Sequence, residues 1–270
     1  MQGDNLSRFV ITARHSDSES MRTYREKLTI EQIATGIIEC LENAKTLIED
    51  ARALLAADRP ARACFALLCA DQELGKIIVL VSMAQMLPQD QARWHPMWKR
   101  FRGHEIKITY ANMFGIPELA EPRFSSIVQL AEDWLGSAPR LENLRQRCLY
   151  VDYSKSENRW LSPREIGVEA AQSLLQKVVE KLHRALEFQQ VGLFSVDALR
   201  IQHEELCCIL EEATYLEETS ALHTMPLDNK FLSVWRKCWR RLTLEGAVTL
   251  SDDYLIMNIP WRDFIAEKDF

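Results

Sequence analysis

Apolar residues recur at Ile30, Ile33, Ile37, Leu41, Ala44, Ile48, Ala51 and Leu55, with Glu31, Glu42, Lys45 and Glu49 interspersed. That three-and-four spacing predicts a long amphipathic helix from Thr29. The "DRP" at 58–60 breaks it, and Pro60 suits the first turn of a second helix, expected over 60–87. This second helix is apolar nearly all round, which predicts a central place in a bundle. A third is expected over 97–114, closed by Gly115 and Pro117. Pro117, Pro122, Gly136 and Pro139 then divide 116–161 into short apolar pieces. At Ser162 the run "SPRE" offers an N-cap serine, a proline at the first helical position and a glutamate three residues after the cap. Such a capping box predicts a long helix over 163–190. Four long helices predict an all-α, antiparallel bundle.

The flanks differ from this middle. Residues 1–27 are polar and aperiodic and are expected to form a flexible arm. After Gly192 the chain becomes acidic, with Glu204, Glu205, Glu211, Glu212, Glu217 and Glu218 on a helix expected over 195–219. A basic and aromatic helix is expected over 229–246, and "AVTLSDDYLIMNI" reads as two short strands around a turn. The expected organisation is an arm (1–27), a bundle (28–190) and a small, mostly helical extension (191–270) ending in a β-hairpin.

With 270 residues, 47% of them hydrophobic, the chain has ample material for a core. Its formal charge of −6 means that any nucleic-acid contact must come from a local basic patch. Seven cysteines without a C-x-x-C spacing predict free, mostly buried thiols in a reducing compartment. Asp4 stands where a signal peptide would be basic, and the longest uncharged apolar run, 77–87, is shorter than a membrane span. A cytoplasmic protein with no membrane partner is therefore expected.

Chemistry enters through polar residues that a core does not need. In "CADQELGKIIVL", Glu73 and Lys76 lie one turn apart on an otherwise apolar helix, either as a structural pair facing a groove or as part of a site. Gly75 between them costs the helix about 1 kcal/mol against alanine, which points to close approach by another helix or a ligand. Arg100, His104, Lys107 and Ala111 are spaced to share one stripe of the third helix. An imidazole moves protons near neutral pH and adjacent cations hold phosphate, so His104, Lys107, Arg100, Glu73 and Lys76 form a set able to cleave RNA without a metal.

Metals and cofactors find little support: Glu180-x-x-His183 is a single E-x-x-H, where a di-iron bundle needs two and further carboxylates. No phosphate-cradling glycine motif or serine-hydrolase elbow occurs, and no cofactor is expected. In the tail, Trp235, Trp239 and Leu242 fall on one stripe while Arg236, Lys237, Arg240 and Arg241 point elsewhere. That basic face is either solvated or a nucleic-acid contact.

"ELGK" at 73–76, "FRGHEIK" at 101–107, "YVDYS" at 150–154 and "WLSP" at 160–163, in that order, resemble the AbiV group of bacterial abortive-infection proteins in the HEPN superfamily. The resemblance covers about 29–190 and implies a homodimeric helical bundle in anti-phage defence, with RNA as substrate and a phage-encoded trigger or antitoxin as a further partner. It also implies metal-independent RNA cleavage, or a non-catalytic binding protein of the same fold. By motif, Glu73 and Lys76 match E-x-G-K, and His104 and Lys107 match H-x-x-K. Tyr150 and Asp152 match Y-V-D and are assigned, with the tail cations, to substrate binding. The common HEPN nuclease signature, an arginine and a histidine with four to six residues between them, is not met at His104, where Met97, Trp98 and Lys99 stand at the required places. Its only literal match, Arg8 to His15, lies in the arm and is discounted as accidental. Either Arg100 and Lys107 replace the missing arginine, or the domain binds without cutting.

Overall fold

The computed structural model describes residues 26–86, 91–115, 137–218, 234, 237–238, 240–242 and 244–248. Thr29 starts the first helix: its Oγ1 accepts from Gln32 N at 3.2 Å, while Gln32 Oε1 accepts from Thr29 N at 2.9 Å. This reciprocal cap opens α1 (Ile30–Ala56), which buries Ile33, Ile37, Leu41, Ala44 and Ile48. Asp58, in the left-handed region at φ 55°, turns the chain into α2 (Pro60–Met86). As its apolar girth predicts, α2 is the central helix: it packs against α1, the helices of 91–111, and the two long helices that follow.

The third helix departs from the expectation. Instead of one helix over 97–114, the chain forms α3 (Gln91–Arg102) and α4 (His104–Ala111), followed by a 3₁₀ turn at Asn112–Gly115. The break is Gly103. Its N–H still closes α3 on Lys99 and Arg100, but its ψ of 128° is extended, and its own carbonyl accepts from Lys107 N to begin α4. Gly103 has the lowest helix propensity of any residue but proline, so the continuous stripe Arg100–His104–Lys107–Ala111 does not exist.

A short helix, α5 (137–147), precedes an unexpected β-hairpin, β1 (Asp152–Ser154) and β2 (Arg159–Leu161). Tyr153 pairs with Trp160 across the strands, their rings edge to face at 5.4 Å, and Asn158 takes φ 52° in the turn. The Ser162–Glu165 capping box is formed, but it closes only the 3₁₀ turn Pro163–Glu165. The long helix α6 begins later and spans Val168–Gln190. α7 (Val196–Glu218) follows the turn at Gly192, with Phe194 and Leu199 in the main core. Val191, Ala198, Ile201 and Leu206 meet Cys238, Leu242 and Val248 in a second cluster. Most of the expected flexible arm and the expected C-terminal strands lie outside the described residues. Cys40, Cys64, Cys148 and Cys238 are buried thiols outside any disulfide.

Buried polar groups tie the other helices to α2. Lys181 on α6 donates to Asp71 Oδ1 at 2.6 Å and to Asn112 Oδ1 at 2.8 Å, and burial raises the Asp71 carboxyl above its usual range against the pull of Lys181. On α7, Gln202 accepts from Gln85 Nε2 at 2.9 Å and donates to Leu193 O at 3.1 Å. Replacing Gln202 by leucine leaves both partners unmatched and is expected to cost about 1–3 kcal/mol. A denaturant midpoint that falls while the slope holds would report it; an unmoved midpoint would show that water takes over both bonds.

Candidate active site

The polar side chains that converge come from three elements: Gln72, Glu73 and Lys76 on α2, His104 and Lys107 on α4, and Glu142 and Arg145 on α5. Gly75 allows the convergence. A Cβ built on it would stand 1.8 Å from Lys107 O and 2.6 Å from Lys107 C, so the α4 backbone crosses α2 where no side chain intervenes. The close approach that Gly75 signals in the sequence is therefore that of a helix.

Lys76 donates to Glu73 Oε1 at 2.6 Å and lies 5.4 Å from the centre of the Phe101 ring. Both members of the pair are half-buried. Lys107 is 6% exposed, and among the described residues no side chain or carbonyl accepts a hydrogen bond from its ammonium. Burial holds its pKa below the ordinary lysine value, Lys76 pushes the same way, and Glu73 opposes. His104 opens α4 and is exposed. Its Nδ1 lies 2.9 Å from Gln72 Oε1. Partial burial lowers the imidazole pKa, Lys107 and Arg145 lower it further, and Glu142 works against them.

Glu142 and Arg145 escape a reading of the sequence that treats 116–161 as broken. Arg145 grips Glu142 with both Nε, at 2.8 Å, and Nη2, at 2.7 Å; Gln146 and Gln72 add bonds of 3.0 and 3.3 Å. Arg145 first, and then Gln146, hold the Glu142 carboxyl below its usual range against the opposing effect of burial. A signal was present: "LENLRQR" carries a Glu–Arg pair at helical spacing, and Gln72 is a polar residue on an apolar helix.

Two thiols border the cluster. Burial pushes Cys40 up to about 12, with Glu73 adding to it, and also raises Cys69. Both stay protonated at neutral pH and are poor nucleophiles. Acid–base chemistry at His104 is what the arrangement can offer.

The remaining expected site residues are dispersed. Arg100 sits on α3, across the Gly103 break, and is not among the charges that weigh most on His104. Tyr150 is 61% exposed and lies near Arg145, so it borders the cluster. Asp152 opens the hairpin, where its Oδ1 accepts from Tyr153 N. Lys237 pairs with Glu205 at 2.7 Å, and Arg241 with Glu204 at 2.6 Å and Glu205 at 3.2 Å. Arg240 is exposed, and the Arg236 side chain, like Arg8 and His15, lies outside the described residues. Among the described residues there is no group of three histidine, cysteine, aspartate or glutamate side chains that could hold a metal ion. No described helix is long and apolar enough to cross a membrane.

The HEPN_AbiV family model, described as AbiV, matches residues 32–184, more than half of the chain. The chain belongs to the AbiV family of HEPN proteins. The match takes in α2, α4, α5 and the hairpin, and thus every member of the converging cluster; α7 and the basic tail lie beyond it. No curated protein and no solved structure matches the chain. The all-α bundle agrees with the helical HEPN fold, and the family places this AbiV protein with abortive-infection functions at that general level.

Proposed function

We propose that this AbiV protein is a metal-independent endoribonuclease that arrests growth or translation during phage infection, with His104 as its acid–base group. The observation that carries the reading is an exposed imidazole, anchored at Nδ1 by Gln72, on the rim of a cluster holding Lys76, Lys107 and Arg145. In the reaction His104 takes the proton of a ribose 2′-hydroxyl. The 2′-oxygen attacks phosphorus to form a 2′,3′-cyclic phosphate, the P–O5′ bond breaks, and the departing 5′-oxygen receives the proton that His104 took. The three cations stabilise the charge that grows on the phosphate oxygens. RNA is the proposed substrate, a homodimer the proposed assembly, and a phage-encoded trigger or antitoxin the proposed further partner.

A second reading, a HEPN-fold protein that binds without cutting, is favoured by the internal pairing of the cations: Lys76 with Glu73 and Arg145 with Glu142. One assay decides between them. Purified protein is incubated with total cellular RNA and a chelator, beside His104→Ala. Cleavage by the wild type that the variant loses supports the ribonuclease; intact RNA in both supports the binding protein.

The lowered imidazole pKa adds a pH test. A base must be unprotonated to act, so cleavage is expected to rise with pH and reach half its maximum below about 6.5, the ordinary histidine value. A midpoint above that value would mean that a different group titrates.

A further inference from the structure

We infer that Gln72 and Glu142 act as positioning residues that hold His104 in the tautomer with its proton on Nδ1, so that Nε2 is the nitrogen that takes and returns the proton. The inference rests on the ribonuclease reading for its purpose, but its geometry stands alone. Glu142 receives the Arg145 fork and the Gln146 amide, all of them donors, which fixes it as an ionised carboxylate that can only accept. Gln72, 3.3 Å away, must therefore turn its NH2 group toward Glu142 Oε2. Turning the amide over would set its oxygen against the carboxylate and bring two acceptors together.

With the NH2 group committed, the Gln72 oxygen faces His104 Nδ1 at 2.9 Å and can only accept, so Nδ1 must be the donor. Gln72 is 5% exposed, so while the ring is in place water has little access to its amide to compete for these bonds. The order Glu142, Gln72, His104 thus runs from a fixed charge through an oriented amide to a chosen ring nitrogen. The choice matters because free histidine in water prefers its proton on Nε2, the tautomer in which Nε2 cannot act as a base. Protonation of the ring leaves the Nδ1 bond intact, so one anchor serves both halves of the proton cycle. Hydrogen bonds that set ring tautomer play this part in histidine sites of many kinds.

The test uses the full chain with ¹⁵N in its histidine rings, His104 being assigned by the signals that disappear in His104→Ala. At a pH above its titration, the wild-type ring is expected to show N–H character at Nδ1 and lone-pair character at Nε2. Gln72→Leu should transfer the majority of the proton to Nε2 and lower RNA cleavage by about 10- to 100-fold, the usual scale for losing such a partner. If Gln72→Leu does not fold, Glu142→Gln, nearly isosteric, should turn the single tautomer into a mixture by freeing the amide to reverse. A wild-type ring protonated on Nε2, or either folded variant keeping the wild-type pattern, overturns the inference. A wild type with the expected pattern that cuts no RNA removes the ribonuclease reading and leaves the positioning intact.

Discussion

Replacing His104 by alanine is expected to lower RNA cleavage by about 100-fold or more, the customary loss when a general acid–base group is removed. Thermal stability should shift little. His104 is exposed, and the bond it loses is to one amide oxygen at the start of a helix. The buried Gln72 oxygen is left with solvent entering the space of the ring, so the penalty stays at or below the range of about 1–3 kcal/mol for an unmatched group. Cleavage and melting temperature must therefore be measured on the same preparations. A variant that melts early and cuts at the wild-type rate would make His104 part of the architecture, and Lys107, Arg145 and Lys76 the residues to test next.

The first two helices were legible because their patterning is strong: the three-and-four spacing from Ile30 to Leu55 and the apolar girth of 60–87 correspond to α1 and α2 within a residue or two. Gly75 was legible for the same reason, since a glycine in the middle of a helix calls for a close neighbour. The third helix was not. Its hydrophobic spacing runs smoothly through Gly103, and only the extended ψ of that residue separates α3 from α4. Periodicity records which faces are apolar, not where the backbone changes direction. The capping box at Ser162 misled in a related way: it satisfies the same donors whether a 3₁₀ turn or a long helix follows, and here Gly167 separates the two.

Of the residues that converge, Glu73, Lys76 and Lys107 stood out in the sequence as charges on apolar helices, and His104 by its spacing beside cations. Glu142 and Arg145 were missed because their meeting with α2 and α4 is purely tertiary: Glu142 and Gln72 stand 70 residues apart. The tail is the reverse case. Lys237 and Arg241 read as a basic face on their own helix, yet in the fold they meet Glu204 and Glu205 of α7, an acidic pair that the sequence presents as a separate feature.

Gly75→Ala should be among the most damaging single-methyl changes in the molecule. In an open helix the substitution would stabilise by about 1 kcal/mol through helix propensity. Here the added Cβ would lie 1.8 Å from Lys107 O and 2.9 Å from Lys107 Cα, and the three atoms nearest to it all belong to the α4 backbone. No rotamer change relieves such an overlap, so α4 must move away from α2 by more than an ångström. That movement opens the packing around Ile108 and Ala111, both fully buried, and lifts Lys107 and His104 off α2 together. Overpacking of this kind, with a cavity beside it, is expected to cost about 4 kcal/mol or more, which exceeds the propensity gain several-fold. Gly75→Ala protein that still folds should lose cleavage as well, because an ångström of displacement separates His104 Nδ1 from the Gln72 oxygen that anchors it. A thermal melt and the RNA assay on one sample measure both effects. A variant as stable as the wild type would show that α2 and α4 do not cross at Gly75, and with that the convergence of the site itself would fail.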